Sequence, residues 1–133
     1  MKTRDLIQEL YFKIDSDKMY ETLLSSEKHS AFTNAEAVID PGLNGEFTCY
    51  DGYIKGKNIF LEEGIMIIQE WQAAEEEWPE YHYSTVQFKL KPLDGGTHLT
   101  FIHKGIPEAY YESIASGWYE HYWEPLKDYF EGN

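Results

Sequence analysis

An aromatic stripe near the C-terminus constrains the fold more than any other feature of the sequence. Between residues 114 and 130, apolar side chains recur every three or four positions, which is the spacing of one face of an α-helix. The stripe consists of Ala115, Trp118, Tyr122, Leu126 and Tyr129, and it is widened by Ile114, Tyr119, Trp123 and Phe130. A face this broad must be buried against a large apolar surface. Pro125 removes one helical hydrogen bond and crowds the carbonyl of His121, so we expect a kink or break near the end of the helix.

The N-terminal segment predicts a strand followed by two short helices. Residues Asp5 to Lys13 alternate partly between apolar and charged side chains, as in a β-strand. Asp15, Ser16 and Asp17 then provide capping oxygens and first-turn negative charge for a helix. The apolar stripe of that helix consists of Met19, Tyr20, Leu23 and Leu24. Ser25 and Ser26 begin a shorter helical turn that ends near Phe32.

The middle of the chain predicts an antiparallel sheet. From Ala35 to Gly105, short strands alternate with turns that contain glycine. The clearest hairpin joins residues 83–91 to residues 97–103 through Leu93-Asp94-Gly95-Gly96, and apolar side chains alternate with polar ones in both strands. Such alternation indicates one buried and one solvated face. These elements predict an α+β fold in which a curved antiparallel sheet wraps the long C-terminal helix, with two short helices after the first strand.

The size and the cysteine content indicate a single intracellular domain. A chain of 133 residues and 15.6 kDa should expose roughly 7,000 Å² of the about 22,000 Å² of its unfolded form, so we predict one domain over residues 1–133. Cys49 is the single cysteine, which excludes an intrachain disulfide, and we expect it to be a small buried hydrophobe. The sequence has neither a signal peptide nor an apolar run long enough to cross a membrane. We therefore expect a cytoplasmic protein.

The charge bears on possible partners. The sequence has 24 Asp and Glu against 11 Lys and Arg, a formal net charge of −13. This charge opposes binding to nucleic acids and to anionic membrane surfaces, and it favours a partner with a basic surface. The segment from Pro107 to Asn133 holds six acidic residues and only Lys127 as a base. We expect the outward side of the closing helix to be the most negative face of the protein.

Motifs of known chemistry are scarce. The string Gly52-Tyr53-Ile54-Lys55-Gly56-Lys57 lacks the spacing and the following helix of a phosphate loop. The five histidines do not have the spacing of a metal site, and the run Glu75-Glu76-Glu77 lacks the alternating ligands of a calcium loop. We therefore assign no metal, no cofactor and no catalytic residue.

The alternation of side chains along the strands singles out polar groups on the inner face. His103 shares the side of Leu99 and Phe101, while His82 and Ser84 share the side of Val86, Phe88 and Leu90. Between Ile65 and Trp71, inward Ile67 would place Gln69 and Trp71 inward too, although inward Met66 and Ile68 fit almost as well. Under the first choice, Gln69, Trp71, His82 and His103 would converge beneath the aromatic helix.

Two interpretations of this group stay open. The polar side chains either form satisfied hydrogen bonds at the rim of the core or line a cavity for a small apolar ligand. The candidate cavity residues are Gln69, Trp71, His82, Ser84, His103, Trp118 and Tyr122.

The C-terminal stripe also carries a family resemblance. The run Gly117-Trp118-Tyr119-Glu120-His121-Tyr122-Trp123-Glu124-Pro125-Leu126-Lys127 resembles the Gly-Trp...Tyr-Trp...Leu-Lys helix of the domain at the C-terminus of the activator of the heat-shock-protein-90 ATPase and of its stand-alone bacterial homologues. Other matches follow in order along nearly the whole chain. They are Ser30-Ala31-Phe32-Thr33, Gly45-Glu46-Phe47, Asp51-Gly52-Tyr53-Ile54, Ile68-Gln69-Glu70-Trp71, Trp78-Pro79, His82-Tyr83-Ser84, Gly95-Gly96-Thr97 and His103-Lys104-Gly105-Ile106-Pro107.

The resemblance implies a helix-grip fold of the START-like (SRPBCC) superfamily, in which a curved seven-stranded sheet grips a long C-terminal helix. That superfamily includes lipid carriers, hormone receptors, aromatic cyclases and co-chaperone domains, so the fold does not choose among functions. The eukaryotic activator also has a separate N-terminal chaperone-binding domain. This sequence begins at its first predicted strand, so we expect that domain to be missing, which weakens the case for chaperone activation.

Three functions remain open. The first is a non-catalytic module that holds a small hydrophobic molecule between the sheet and the C-terminal helix. The second is a co-chaperone-type interaction module whose acidic surface binds a basic groove of a chaperone. The third is a cyclase-like enzyme with His82 or His103 as general acid or base. We expect a monomer or a homodimer.

Overall fold

The computed structural model describes residues 1–131 and contains a seven-stranded antiparallel sheet. The strands are β1 (Thr3–Phe12), β2 (Val38–Ile39), β3 (Glu46–Cys49), β4 (Ile54–Glu62), β5 (Met66–Ala73), β6 (Ser84–Leu93) and β7 (Gly96–Pro107). Their order across the sheet is β1-β7-β6-β5-β4-β3-β2. Strands β2 to β7 thus form the predicted meander, and β1 pairs with β7, the last strand in the sequence.

Two short helices follow β1, as predicted. They are α1 (Ser16–Leu24) and α2 (Ser26–Thr33). The Asp15 side chain accepts a hydrogen bond from the Lys18 amide at 2.8 Å, and the Ser25 hydroxyl accepts one from the Lys28 amide at 3.2 Å. Both caps satisfy amides that have no partner within the helix. Ser25 separates the two helices with an extended backbone conformation.

The hairpin of β6 and β7 has the predicted alternation. Asp94 and Gly95 form its two-residue turn with φ angles of 49° and 77°, which is the pattern of a type I′ turn. Phe88 lies opposite Phe101 and Leu90 opposite Leu99, and all four side chains are buried. The strand begins at Ser84, one residue later than predicted, and β1 spans Thr3–Phe12 instead of residues 5–13.

The C-terminal helical segment is continuous but irregular. A 3₁₀ turn (Glu108–Tyr110) leads into α3 (Tyr111–Trp118), a π-helical segment (Tyr119–Trp123) and α4 (Glu124–Glu131). The predicted break therefore precedes Pro125 as a widened turn. Pro125 has no N–H to offer the His121 carbonyl, and the Tyr50 hydroxyl donates a hydrogen bond to that carbonyl instead.

The aromatic face of this segment packs on the sheet. The Trp118 ring lies 4.3 Å from Phe101 and 4.5 Å from Tyr122, measured between ring centroids. Trp118, Tyr122, Trp123 and Leu126 are buried, which confirms the predicted stripe at its centre. Tyr119 was predicted to widen the stripe, but this residue, at the start of the π-helical segment, is 42% exposed. No helix within residues 1–131 has the length and apolar character that a bilayer crossing requires.

Candidate functional site

Strand β5 directs the side chains of its odd-numbered residues into the core. Ile67, Gln69 and Trp71 are buried, whereas Met66 and Ile68 are only half-buried on the outer face. The choice that the sequence left open is therefore settled in favour of inward Ile67. This places Trp71 beneath the C-terminal helix.

A directional chain of hydrogen bonds joins four of the predicted residues. The Trp118 indole N–H donates to Nδ1 of His103 at 3.1 Å. Nε2 of His103 lies 2.8 Å from the Ser84 hydroxyl, which itself donates to the Trp71 carbonyl at 3.0 Å. Because the single hydroxyl proton of Ser84 is engaged by that carbonyl, Nε2 of His103 must carry the other proton. His103 is thus held as the neutral Nε2–H tautomer.

His103 and Ser84 are the residue types of a catalytic serine–histidine pair, but the hydrogen bond between them runs in the opposite direction. A serine nucleophile needs a histidine nitrogen that accepts its proton, whereas here the histidine donates to the serine. His103 is fully buried, and burial lowers its pKa to about 3. Ser84 is buried as well. The arrangement fixes the helix to β6 and β7.

Gln69 and His82 lie apart from this chain. The Gln69 side-chain amide donates to the Asn58 side-chain oxygen at 2.9 Å, and Asn58 donates in turn to the Asp40 and Gly42 carbonyls. The half-buried His82 ring bonds through Nε2 to the Gly105 carbonyl at 2.7 Å. Of the four side chains expected to converge, Trp71 and His103 are in contact, with ring centroids 4.8 Å apart, and Gln69 lies near Trp71 beneath the helix, whereas His82 does not join them.

The space directly beneath the helix is almost filled. A void of about 10 Å³ lies among Gln69, Trp71, Trp118 and Tyr122, together with residues of α2 and β3. This volume is the size of a single water molecule. His29 and Cys49 border it, with Nε2 of His29 and Sγ of Cys49 3.6 Å apart. Cys49 is a buried hydrophobe as predicted, and burial raises its thiol pKa to about 12.

A much larger cleft opens above the void. Its volume is about 540 Å³, and it lies between the turn that joins β3 to β4 and the C-terminal helix. Rings of Trp71, Trp118 and Tyr122 line both the cleft and the void, so they separate one from the other. The other apolar contributors to the cleft are Tyr50, Tyr53, Ile54, Ile114 and Gly117.

Polar groups line the same cleft. They belong to Glu75, Ser113, Ser116, Glu120 and His121. The Tyr53 hydroxyl donates to the Glu75 carboxylate, and the Tyr50 hydroxyl donates to the His121 carbonyl. Burial raises the pKa of both tyrosines, and for Tyr53 the bond to Glu75 raises it further. Both hydroxyls are therefore neutral donors that stiffen the walls.

Sequence patterns identified the floor of this cleft but missed its walls. Trp71, Trp118 and Tyr122 were candidates, whereas Tyr50, Tyr53, Glu75 and His121 were not. Tyr50 and Asp51 adopt positive φ angles of 52° and 57° in the turn, where the alternation of a strand no longer applies. The usable signal was two tyrosines flanking Asp51-Gly52 in a turn, since loops often carry the residues that bind ligands.

Comparisons with known proteins give a consistent result. Residues 13–131 match the family model of Activator of Hsp90 ATPase homolog 1-like proteins. The chain is 28% identical to the uncharacterized protein C1711.08 of Schizosaccharomyces pombe, over 98% of this chain and 38% of that protein. It is 29% identical to the human activator of 90 kDa heat shock protein ATPase homolog 1, over 90% of this chain and 35% of that protein. The chain thus spans little more than a third of the length of these relatives.

A solved structure agrees with the fold. The crystal structure of an HSP90 activator from Plasmodium falciparum matches with a TM-score of 0.83 at 19% identity, over 99% of this chain and 97% of that one. At this identity the match shows a shared helix-grip fold. The family match, in contrast, covers most of the sequence and confirms the resemblance found there, so this chain belongs to the family of Activator of Hsp90 ATPase homolog 1-like proteins.

Proposed function

We propose that this domain is a non-catalytic module that binds a small, largely apolar molecule in the cleft beside the C-terminal helix. The observation that carries the proposal is an open cavity of about 540 Å³ floored by the rings of Trp71, Trp118 and Tyr122. Ligand sites typically have volumes of about 300–1,000 Å³, mostly apolar linings and a few placed polar groups. The void below is far too small for any organic ligand.

The two histidines that the sequence offered as a general acid or base, His82 and His103, do not line the cleft. His103 and Ser84 lie beneath the aromatic floor, with their protons committed to the hydrogen-bond chain. His82 bonds to the Gly105 carbonyl and does not line the cleft. A molecule in the cleft would therefore meet aromatic rings, two carboxylates and His121.

Gly117 offers a direct way to fill the cleft. It lies in α3 and lines the cavity, and a Cβ added there meets only the His121 ring, at an ordinary contact distance of 3.8 Å. We expect Gly117→Phe to occupy the cleft without strain in the helix. Gly117→Ala should raise the free energy of unfolding by up to about 1 kcal/mol, because alanine is the better helix former. Asp128→Phe adds the same ring to an exposed position of α4 outside the cleft and serves as the matched control.

The test is a calorimetric titration with the methanol derivatives of naphthalene, anthracene and pyrene. We expect at least one to bind the natural sequence and the Asp128→Phe variant, and none to bind Gly117→Phe. A ligand at about one hundred times its Kd should also stabilise the fold by about 2.7 kcal/mol. Failure of all three to bind, or binding that survives Gly117→Phe, would contradict the proposal.

A second candidate is an interaction module for a chaperone. The human relative is named an activator of the 90 kDa heat shock protein ATPase. In addition, all six acidic residues between Pro107 and Glu131 have exposed side chains. Such a face favours a basic partner surface and makes association depend on salt.

This candidate predicts salt-sensitive stimulation of the ATPase of the Hsp90 protein from the same organism. The double variant Glu124→Lys and Asp128→Lys should weaken that stimulation, whereas Gly117→Phe should leave it unchanged. Normal stimulation by the double variant, or none by the natural sequence, would count against it.

A further inference from the structure

The polar groups of the cleft favour one class of ligand over others. We infer that the cleft selects apolar molecules that carry an ammonium group, that is, cationic amphiphiles with an aromatic or aliphatic body. The inference rests on the proposed binding function and specifies its ligand.

The first support is the charge of the walls. The cleft-lining residues include the carboxylates of Glu75 and Glu120 but neither lysine nor arginine among residues 1–131. The two carboxylates come from opposite walls, Glu75 from the loop after β5 and Glu120 from the π-helical segment. An ammonium group entering between them would be attracted from both sides, and a carboxylate would be repelled.

The second support is that the hydroxyl donors of the walls are already used. Tyr53 donates to Glu75, Tyr50 donates to the His121 carbonyl, and Ser113 and Ser116 donate to helix carbonyls at 3.1 Å and 3.2 Å. What these groups still offer to a ligand is oxygen lone pairs. An ammonium group can donate to these lone pairs, whereas a carboxylate cannot.

The third support is the aromatic lining. Tyrosine and tryptophan faces attract cations through their ring quadrupoles, by about 0.5–1 kcal/mol at exposed sites. Five such rings line the cleft: Tyr50, Tyr53, Trp71, Trp118 and Tyr122. The same rings that bind an apolar body can therefore also stabilise its charged end.

The test uses three probes with one ring system: 2-naphthylmethylamine, 2-naphthylmethanol and 2-naphthoate. Their Kd values are measured by calorimetry at about pH 8, where histidine side chains in general are uncharged. We expect the amine to bind about tenfold more tightly than the alcohol, and the naphthoate to bind more weakly than both. Raising the salt concentration should reduce this preference.

Variants assign the preference to the two carboxylates. Glu75→Gln and Glu120→Gln keep the size of each side chain, and a glutamine at position 75 still accepts the Tyr53 hydrogen bond. Each should reduce the preference for the amine over the alcohol by about threefold without weakening binding of the alcohol. Glu124→Gln, at an exposed position of α4 outside the cleft, should change neither value.

The outcomes separate the two proposals. Equal or tighter binding of the alcohol, or a preference that survives both glutamine variants, would overturn the inference while leaving cleft binding intact. If neither the amine nor the alcohol binds, or if both still bind Gly117→Phe, the proposed function itself fails.

Discussion

Trp118 combines two roles in one side chain at the centre of the molecule. Its ring packs on Phe101 and Tyr122, and its N–H donates to Nδ1 of His103. We expect Trp118→Ala to lower the free energy of unfolding by about 3–5 kcal/mol, the range for a large buried aromatic. Trp118→Phe keeps a buried ring but leaves Nδ1 without a donor, so it should cost about 1–3 kcal/mol. Urea denaturation measures both, and a near-neutral Trp118→Ala would show that the ring does not pack in the core.

The buried histidines predict a pH dependence of stability. Burial lowers the pKa of His103 to about 3 and that of His29 to about 4, whereas both return to the ordinary value of about 6.5 on unfolding. Below about pH 6.5 the unfolded chain binds protons that the folded chain does not, so stability falls with decreasing pH, towards pH 4 for His29 and pH 3 for His103. Each residue contributes a slope of up to about 1.4 kcal/mol per pH unit.

The measurement is the free energy of unfolding in urea at several pH values between about 7 and 4. His103→Gln should make the slope shallower, because one titrating group is removed, even if the variant is less stable throughout. An unchanged slope in His103→Gln would show that His103 binds protons equally in the folded and unfolded states, which contradicts the prediction.

Individual residues show how far strand alternation can locate a site. It correctly placed Ser84 and His103 on the inner face because both lie within regular hydrogen-bonded strands. Alternation failed for His82 because β6 begins only at Ser84, two residues after His82. His82 therefore lies in the preceding loop, where its ring bonds to the Gly105 carbonyl. Gln69 does point inward, but Asn58 across the β4–β5 pair binds its amide. The sequence carried no sign of that partner.

At the scale of elements, the C-terminal helix depends on a residue from the sheet side. Pro125 withholds an N–H from the His121 carbonyl, and the Tyr50 hydroxyl supplies the missing donor. We expect Tyr50→Phe to lower the free energy of unfolding by about 1 kcal/mol. In a Pro125→Ala background the alanine N–H can bond to the same carbonyl, so Tyr50→Phe should then cost much less.

A double-mutant cycle of these two substitutions measures the coupling. We expect a coupling energy of at least about 0.5 kcal/mol, the lower end for residues that share a partner. Additive effects would show that Tyr50 and Pro125 act independently.

The order of the helices and strands could be predicted from the sequence, whereas the form of the irregular segments could not. The glycine-bearing turns and the alternation of Val86, Phe88 and Leu90 were enough to predict the meander and the hairpin, because local patterns determine both. Pro125 predicted a break but not its form. The position of a π-helical segment depends on what the freed carbonyl meets, and Tyr50 is 71 residues away along the chain. For the same reason the cleft walls, which come from loops and turns, could not be inferred.

At the scale of the whole molecule, negative charge exceeds positive charge, and ion pairs offset little of it. The net charge is −13, and the ion pairs among the described residues are exposed or partly exposed, such as Lys28 with Glu21 at 2.7 Å. Such pairs contribute little, so repulsion among carboxylates opposes the compact state. We expect the free energy of unfolding to rise by on the order of 1 kcal/mol between about 10 mM and 150 mM NaCl, as screening shortens the range of this repulsion, and the urea midpoint to rise with it.

A charge-altered variant provides the control. Glu124→Lys with Asp128→Lys changes the charge by four units, from −13 to −9. Its urea midpoint should respond less to salt than that of the natural sequence. A midpoint that falls with salt would mean that attractive pairs outweigh the repulsion.

The pairing of β1 with β7 sets an order of events during synthesis. Every other neighbouring pair in the sheet joins strands that are consecutive in the sequence, so each can form soon after its second strand is made. Thr3 pairs with Pro107, which is 104 positions later. At about 5–20 residues per second, the ribosome needs roughly 5–20 s to cover that distance. Leu6 and Phe12 have no partner strand during this interval. Strand β1 is therefore the first strand of this sheet to be made and the last to be paired.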